Sequence, residues 1–286
     1  REASQFLIEG LRRLEYRGYD SSGVAAIDSG GHMAVTKTKG RIENLVECLA
    51  QNPICGKIGV GHTRWATHGQ PSDENAHPHI GGSEVLAIVH NGVIENYQQL
   101  KEHLIDKGYI FHSATDSEII GHLISDYLQN ASEAEINGIA TQSVAGTYAP
   151  LVAAVKHAIA QLRGTYGIVV LFRDYPDVLV CARLGSPMVI GVGEGEHFIA
   201  SDATAMVGHT DKIVYLADHE LAVITHDSLQ VMHRDQGQIA HAVQTLEQDG
   251  GSVSLAGYAH YMLKEIHEQP QSLRNAMRGR LSQDDA

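Results

Sequence analysis

Near its front the chain repeats apolar residues at helical spacing. Leu7, Ile8, Leu11 and Leu14 fall on one face and predict an amphipathic helix over Ala3–Glu15. Arg12 and Arg13 sit in its last turn, where cations suit the dipole, and Gly18 can stop it. Val24–Ile27 and Met33–Thr36 flank Asp28-Ser29-Gly30-Gly31 and read as a hairpin, followed by a short helix over Ile42–Ala50. Two apolar runs, Ile58–Gly61 and Val85–His90, read as buried strands on either side of an irregular segment, Gln70–Glu84. A loop that long inside a compact domain is usually functional or disordered.

Beyond it, Asn96 is expected to cap a helix with apolar positions Leu100, Leu104 and Ile105. Thr115-Asp116-Ser117-Glu118 has the form of a capping box and opens a helix to Leu128. Asn130–Pro150 carries no usable pattern, and Leu151–Leu162 reads as a further helix ending at Gly164. From Tyr166 the period changes: Tyr166–Phe172, Val178–Ala182, Met188–Val192, His197–Ala200, Ile213–Leu216, Glu220–Thr225 and Leu229–His233 are short β-rich runs joined by turns. Closely spaced strands pair antiparallel, so helices followed by a strand meander predict an α+β fold. Tyr258–Met277 is helical in pattern and expected to be interrupted at Pro270.

Composition narrows the function classes. A net charge of -13 argues against a nucleic-acid partner, and the one basic cluster, Arg12-Arg13 with Arg17, is too small to reverse that. No apolar run is long enough for a membrane span. Cys48, Cys55 and Cys181 show no paired spacing, which fits a reducing compartment, and they are expected to be small buried hydrophobes. The 18 histidines invite a metal reading, above all His62, His68, His77, His79 and His90, but no HExxH or carboxylate spacing supports one. Gly191-x-Gly193-x-Gly195 is followed by another strand and not a helix, so it reads as a hairpin turn, not a nucleotide loop.

Three motifs carry chemistry when taken together. Singly, Asn91-Gly92 is a common hairpin turn, Asp116 an anion at a helix N-terminus, and Arg64 a surface ion-pair partner. Jointly they supply what a free amino acid requires, a planar cation for its carboxylate and an anion for its ammonium. The Asn91 amide and the Gly92 N–H add a pair of donors for a developing oxyanion. That combination describes acyl transfer on an amino acid, with the nucleophile still to be supplied.

The residues Glu9–Ser21, His62–Gly69, Asn75–His79, His90–Asn96, Thr115–Glu118 and the tail His260–Pro270 closely resemble the glutaminase half of glutamine–fructose-6-phosphate aminotransferases. The His-Asn-Gly run is shared with other N-terminal-nucleophile amidotransferases; Glu-Tyr-Arg-Gly-Tyr-Asp-Ser and the tail single out this family. The resemblance implies an N-terminal-nucleophile fold, a four-layer αββα sandwich of two antiparallel sheets. It also implies a domain over residues 1–257 and, over 258–286, the start of a connection to a sugar-phosphate half. In this reading an N-terminal Cys attacks the glutamine amide with its own α-amine as base. Asn91 and Gly92 stabilise the oxyanion, Arg64 with Thr67 and His68 holds the α-carboxylate, and Asp116 holds the ammonium. Trp65 covers the site and Arg17 neighbours the nucleophile.

No cofactor or metal is implied, nor a nucleic-acid or membrane partner. Fructose 6-phosphate is reached through the other half, and a homo-oligomeric cytoplasmic enzyme is expected. The chain opens at Arg1 in a helical pattern, so the family's first strand, bearing that Cys, is expected ahead of it. None of the internal cysteines can replace it for want of an α-amine. The chain as it stands is therefore expected to bind glutamine poorly and hydrolyse none, and to leave a sheet edge unpaired. Two alternatives remain: an amidophosphoribosyltransferase-like member of the same fold, and a non-catalytic glutamine-binding module.

Overall fold

A seven-stranded antiparallel sheet is the backbone of the first of two units, its two faces burying alternate residues of the central strands. The computed structural model describes residues 2–132, 148–246 and 257–277, and divides into two units, Arg1–Leu246 and Glu247–Ala286. In the first unit the large sheet has the order β13-β12-β11-β7-β6-β5-β4. Its strands are β4 (His79–Gly81), β5 (Leu86–Ile94), β6 (Gly164–Phe172), β7 (Tyr175–Leu184), β11 (Glu220–Ile224), β12 (Leu229–His233) and β13 (Gly237–Gln238).

One face of this sheet, through Leu86, Ile88, Ile168, Val170 and Val180, packs on the helices α3 (Tyr97–Asp106), α4 (Glu118–Asn130) and α5 (Ala149–Gln161). The other face, through Ala87, Val89, Val169, Leu171 and Cys181, packs on a second strand layer. Period-2 burial on both faces requires near-continuous apolar strands, and Leu86–His90 is buried without a break.

The second strand layer consists of two sheets. One has the order β2-β1-β3, from β1 (Ser21–Ile27), β2 (Met33–Lys39) and β3 (Ile58–Arg64); the other has the order β14-β10-β8-β9, from β8 (Val189–Val192), β9 (His197–Ala200), β10 (Lys212–Tyr215) and β14 (Gln244–Thr245). Helices α1 (Ala3–Leu14) and α2 (Ile42–Gln51) cover the first through Leu11, Val24, Ala26, Ile42 and Leu45. Among the described residues β3 and β9 each pair on one side only, and one cavity is lined by both. The architecture is thus the expected α+β sandwich, helices outside two antiparallel strand layers.

Several local expectations change. The Gly191–Gly195 run is the β8–β9 turn, closed by the Gly193 N–H donating to Glu196 O at 2.9 Å. Asn91-Gly92 makes no turn; both lie within β5, opposite Gly167 and Tyr166 of β6. The capping box does not form. Helix α4 starts at Glu118 itself, whose carboxylate accepts from the N–H groups of His112 and Ser113 at 2.8 and 2.7 Å, while the Thr115 hydroxyl meets His79.

Asn96 precedes α3 but does not cap it; its side chain accepts from Arg163 N at 2.9 Å and donates to Gln161 O, fastening α3 to the end of α5. Ile105 is exposed, and only Leu104 is buried on that helix. Of the cysteines Cys181 alone is buried, Cys48 is half-buried and Cys55 exposed. In the second unit α6 (Tyr261–Met277) runs through Pro270 without a break, the proline costing the helix one backbone donor. Most of Asn130–Pro150, residues 133–147, lies outside the described residues. No described helix is long and apolar enough to cross a membrane.

Candidate active site

A cavity of about 380 Å³ opens between the strand layers, lined by Arg17, Arg64, Trp65, Thr67, Asn91, Gly92 and Asp116. Seven of the eight residues singled out in sequence therefore share one wall system, reached from β3, β5 and the turn before α4. Its inner part is apolar, with Leu11, Val89, Val169, Met188 and Ile199. A volume of this size suits a small metabolite.

Arg64 ends β3 and is 5% exposed. Its Nη2 donates to the carbonyls of His68 and Gly69, folding residues 65–69 back over the strand end. Nη1 is buried with no partner, a free donor on a fixed fork. Desolvation pulls this guanidinium below its ordinary pKa, while Asp20 and Asp116 oppose the shift. The loop is held from below as well: Asp20 Oδ2 accepts from Ala66 N at 2.8 Å. Gly18 packs so closely on it that a Cβ there would sit 2.9 Å from the Arg64 carbonyl carbon. At the cavity mouth Trp65 is 59% exposed, edge-on to Tyr19. Arg17 pairs with Asp202 at 3.1 Å. His68 lies outside the lining; its carbonyl serves Arg64 and its ring meets Tyr97.

Asp116 is buried in the turn before α4. Its Oδ2 accepts from Ile94 N at 2.8 Å, tying it to the end of β5, and Oδ1 has only a long contact of 3.4 Å from the Ser117 hydroxyl. That leaves Oδ1 able to accept from a cationic group. On β5, Gly92 has φ +139°, and a Cβ there would lie 2.1 Å from Thr165 O. Only glycine fits both the angle and the approach. Asn91 Oδ1 lies 2.9 Å from His62 Nε2.

The histidines around this wall form a stack with separate partners. His62 and His77 rings lie 4.3 Å apart and nearly parallel, and His77 meets His79 edge-on at 4.5 Å. Among the described residues no group of three potential ligands is placed to hold a metal ion. Desolvation drives four of these rings toward the neutral form: half-buried His62 to about 4, and, among the buried rings, His79 to about 3, His77 well below its ordinary value, and His90 downward against the opposing charge of Asp116. Behind them Glu118 anchors the turn. Burial alone would raise its carboxyl, but His122, the Ser113 hydroxyl and two backbone N–H groups outweigh that and hold it at about 2.

Sequence reasoning missed His62 and Ser117 as parts of this wall, and Asp20 as the support of the loop beside it. The first had a signal, since His62 stands two residues before Arg64 and so shares its face of the strand. Ser117 and Asp20 had none, because both act through turns whose geometry no periodicity records.

Residues 62–208 match the family model of the glutamine amidotransferase domain. The chain is 45% identical over 284 residues to a glutamine–fructose-6-phosphate aminotransferase (isomerizing) of Chlorobaculum tepidum, covering 98% of this chain and 44% of that one. It is 43% identical to the enzyme so named of Escherichia coli, with 99% and 43% coverage. The chain thus spans under half the length of these curated relatives. The glutamine phosphoribosylpyrophosphate amidotransferase of B. subtilis, complexed with ADP and GMP, superposes with a TM-score of 0.63 at 26% identity, covering 82% of this chain and 47% of that one. With its four-layer sandwich and more than half its length matched, this chain belongs to the glutamine amidotransferase domain family.

Proposed function

We propose that this chain is the glutaminase portion of a glutamine–fructose-6-phosphate aminotransferase, releasing ammonia from glutamine for transfer to the sugar phosphate. The observation that carries the reading is the meeting of Arg64, Asp116 and the Asn91–Gly92 donors around one small cavity. Arg64 Nη1, with Thr67 beside it, receives the α-carboxylate, and the His68 carbonyl helps set the guanidinium. Asp116 Oδ1 receives the ammonium. The side-chain amide then reaches Asn91 Nδ2 and the Gly92 N–H, and Trp65 covers the mouth. These fixed donors act where charge develops, the type of interaction that most lowers an acyl-transfer barrier.

The nucleophile in this reading is an N-terminal Cys on a strand preceding Arg1. The one-sided edges of β3 and β9 along the cavity support a strand between them, where Arg17 would neighbour the reacting end. Sulfur bonds to the amide carbon as its proton passes to the α-amine. The tetrahedral adduct collapses, expelling nitrogen as ammonia with that proton, and water opens the thioester to glutamate. Residues 258–286 begin the connection to the half that aminates fructose 6-phosphate, in a homo-oligomeric cytoplasmic enzyme. The unpaired thiols of Cys48 and Cys55 support a reducing compartment.

The test is glutamate release from glutamine by the full-length chain, with and without fructose 6-phosphate. Hydrolysis that rises with the sugar phosphate and vanishes when the N-terminal Cys is replaced by Ala is expected. Hydrolysis stimulated instead by phosphoribosyl pyrophosphate would move the chain to the other amidotransferase, and glutamine binding with no turnover would leave a binding module.

A further inference from the structure

Asn91 offers two chemically opposite ends, and only one of them suits an oxyanion. Its Oδ1 lies 2.9 Å from His62 Nε2, and its Nδ2 makes no hydrogen bond to the protein among the described residues. A carboxamide oxygen only accepts, so this contact exists when His62 carries its proton on Nε2. With the other tautomer, two lone pairs would face each other and the carboxamide would turn over, presenting oxygen to the cavity.

The geometry favours the first tautomer: a proton on Nε2 meets Asn91 Oδ1 at 2.9 Å, while Nδ1 is buried without a hydrogen bond, the His90 backbone also acting on the ring. The ring cannot swing away, because it lies flat on His77 at 4.3 Å, and His77 is itself fixed by accepting from His90 N at 3.2 Å. Desolvation, with Arg64 nearby, keeps the His62 ring neutral at physiological pH, its pKa at about 4.

We infer that His62 is a positioning residue that donates from Nε2 to Asn91 Oδ1 and so holds the Asn91 N–H₂ toward the reacting carbonyl. This rests on the proposed glutaminase reaction, in which Asn91 touches the oxyanion. His62 touches no substrate atom; it converts a side chain that could face either way into a donor with one orientation. Preorganisation of that kind is what separates an oxyanion hole from a polar wall.

The experiment is a double-mutant cycle in the full-length chain, read as kcat and KM for glutamine hydrolysis. Loss of one oxyanion donor costs about 10²–10³-fold in kcat, so losing only its orientation should cost roughly 10–10²-fold. His62→Phe keeps a ring on His77 and His62→Ala does not, but both lack the donor. Both should lower kcat alike, with KM for glutamine within about 3-fold of the parent. His62→Gln, whose amide can donate at the same place, should recover most of the rate. In an Asn91→Ala background, His62→Phe should cost nothing further.

An equal loss in both backgrounds, a loss confined to KM, or a loss that follows side-chain volume would overturn the inference. Asn91→Ala with undiminished kcat would instead sink the oxyanion reading beneath it.

Discussion

Replacing Glu118 by Gln tests whether the acidic turn is built as described. The carboxylate is 4% exposed and accepts from His112 N, Ser113 N and Ser113 Oγ at 2.8, 2.7 and 2.6 Å, with His122 Nε2 at 3.6 Å. Its pKa falls from 4.5 to about 2. At about 1.4 kcal/mol per unit this depression corresponds to ~3 kcal/mol favouring the folded state. Glutamine keeps the shape but turns one acceptor into a donor facing N–H groups. The expected loss at pH 7 is therefore ~3 kcal/mol, a drop of about 6–12 °C in Tm for a unit of this size.

The sign follows from the direction of the shift. A carboxyl lowered on folding stabilises fully above its unfolded value of 4.5 and loses that contribution as pH falls through about 2. The gap between parent and variant in urea denaturation should be full at pH 7 and roughly halved by pH 3. Global acid effects cancel in the difference. A gap below ~1 kcal/mol at pH 7, or one that does not change with pH, would refute the account of this turn. Because Asp116 rides on the same segment, the variant should also raise KM for glutamine in the full-length chain.

Two further outcomes are expected. Arg64→Lys replaces a fork with one ammonium, which cannot serve the His68 and Gly69 carbonyls and a substrate carboxylate together; KM for glutamine should rise roughly 10–100-fold with kcat little changed, and an unchanged KM would remove Arg64 from carboxylate binding. His62 and His79, held at about 4 and 3 against an ordinary 6.5, take up protons on unfolding. Stability should fall as pH drops from 6.5 toward 4, by up to ~1.4 kcal/mol per unit for each, and His79→Gln should flatten that slope in urea midpoints.

The layers and most elements were legible because apolar period alone decides which face of a strand or helix is buried. Leu7, Leu11 and Leu14 predicted α1, and the runs from Tyr166 onward predicted antiparallel pairing. What escaped was polar and local. The Thr115–Glu118 spacing promised a capping box, yet Glu118 turned back to accept from the N–H groups of His112 and Ser113, and Thr115 went to His79. Asn91-Gly92 looked like a turn until β6 was placed opposite it; strand pairing outweighed a two-residue preference. Arg64, Asp116 and the Asn91–Gly92 donors were found by chemical type, since cation, anion and paired donors are what an amino acid demands; Arg17, Trp65, Thr67 and His68 came only from the family resemblance. The link from His62 to Asn91 joins β3 to β5, and no sequence spacing encodes it.

The position of Gly92 and Asn91 in the interior of a paired strand, while Arg64 ends an outer strand and Asp116 sits in a turn, gives the site two mechanically separate parts. The donors can shift only if the β5–β6 pairing deforms, whereas the charged pair can be re-spaced by small changes in loops 65–69 and 112–117. A designer seeking a longer or shorter amide substrate should therefore vary the loops and leave the paired strands alone. Reach would be the adjustable property of this scaffold, and bond cleavage its invariant one.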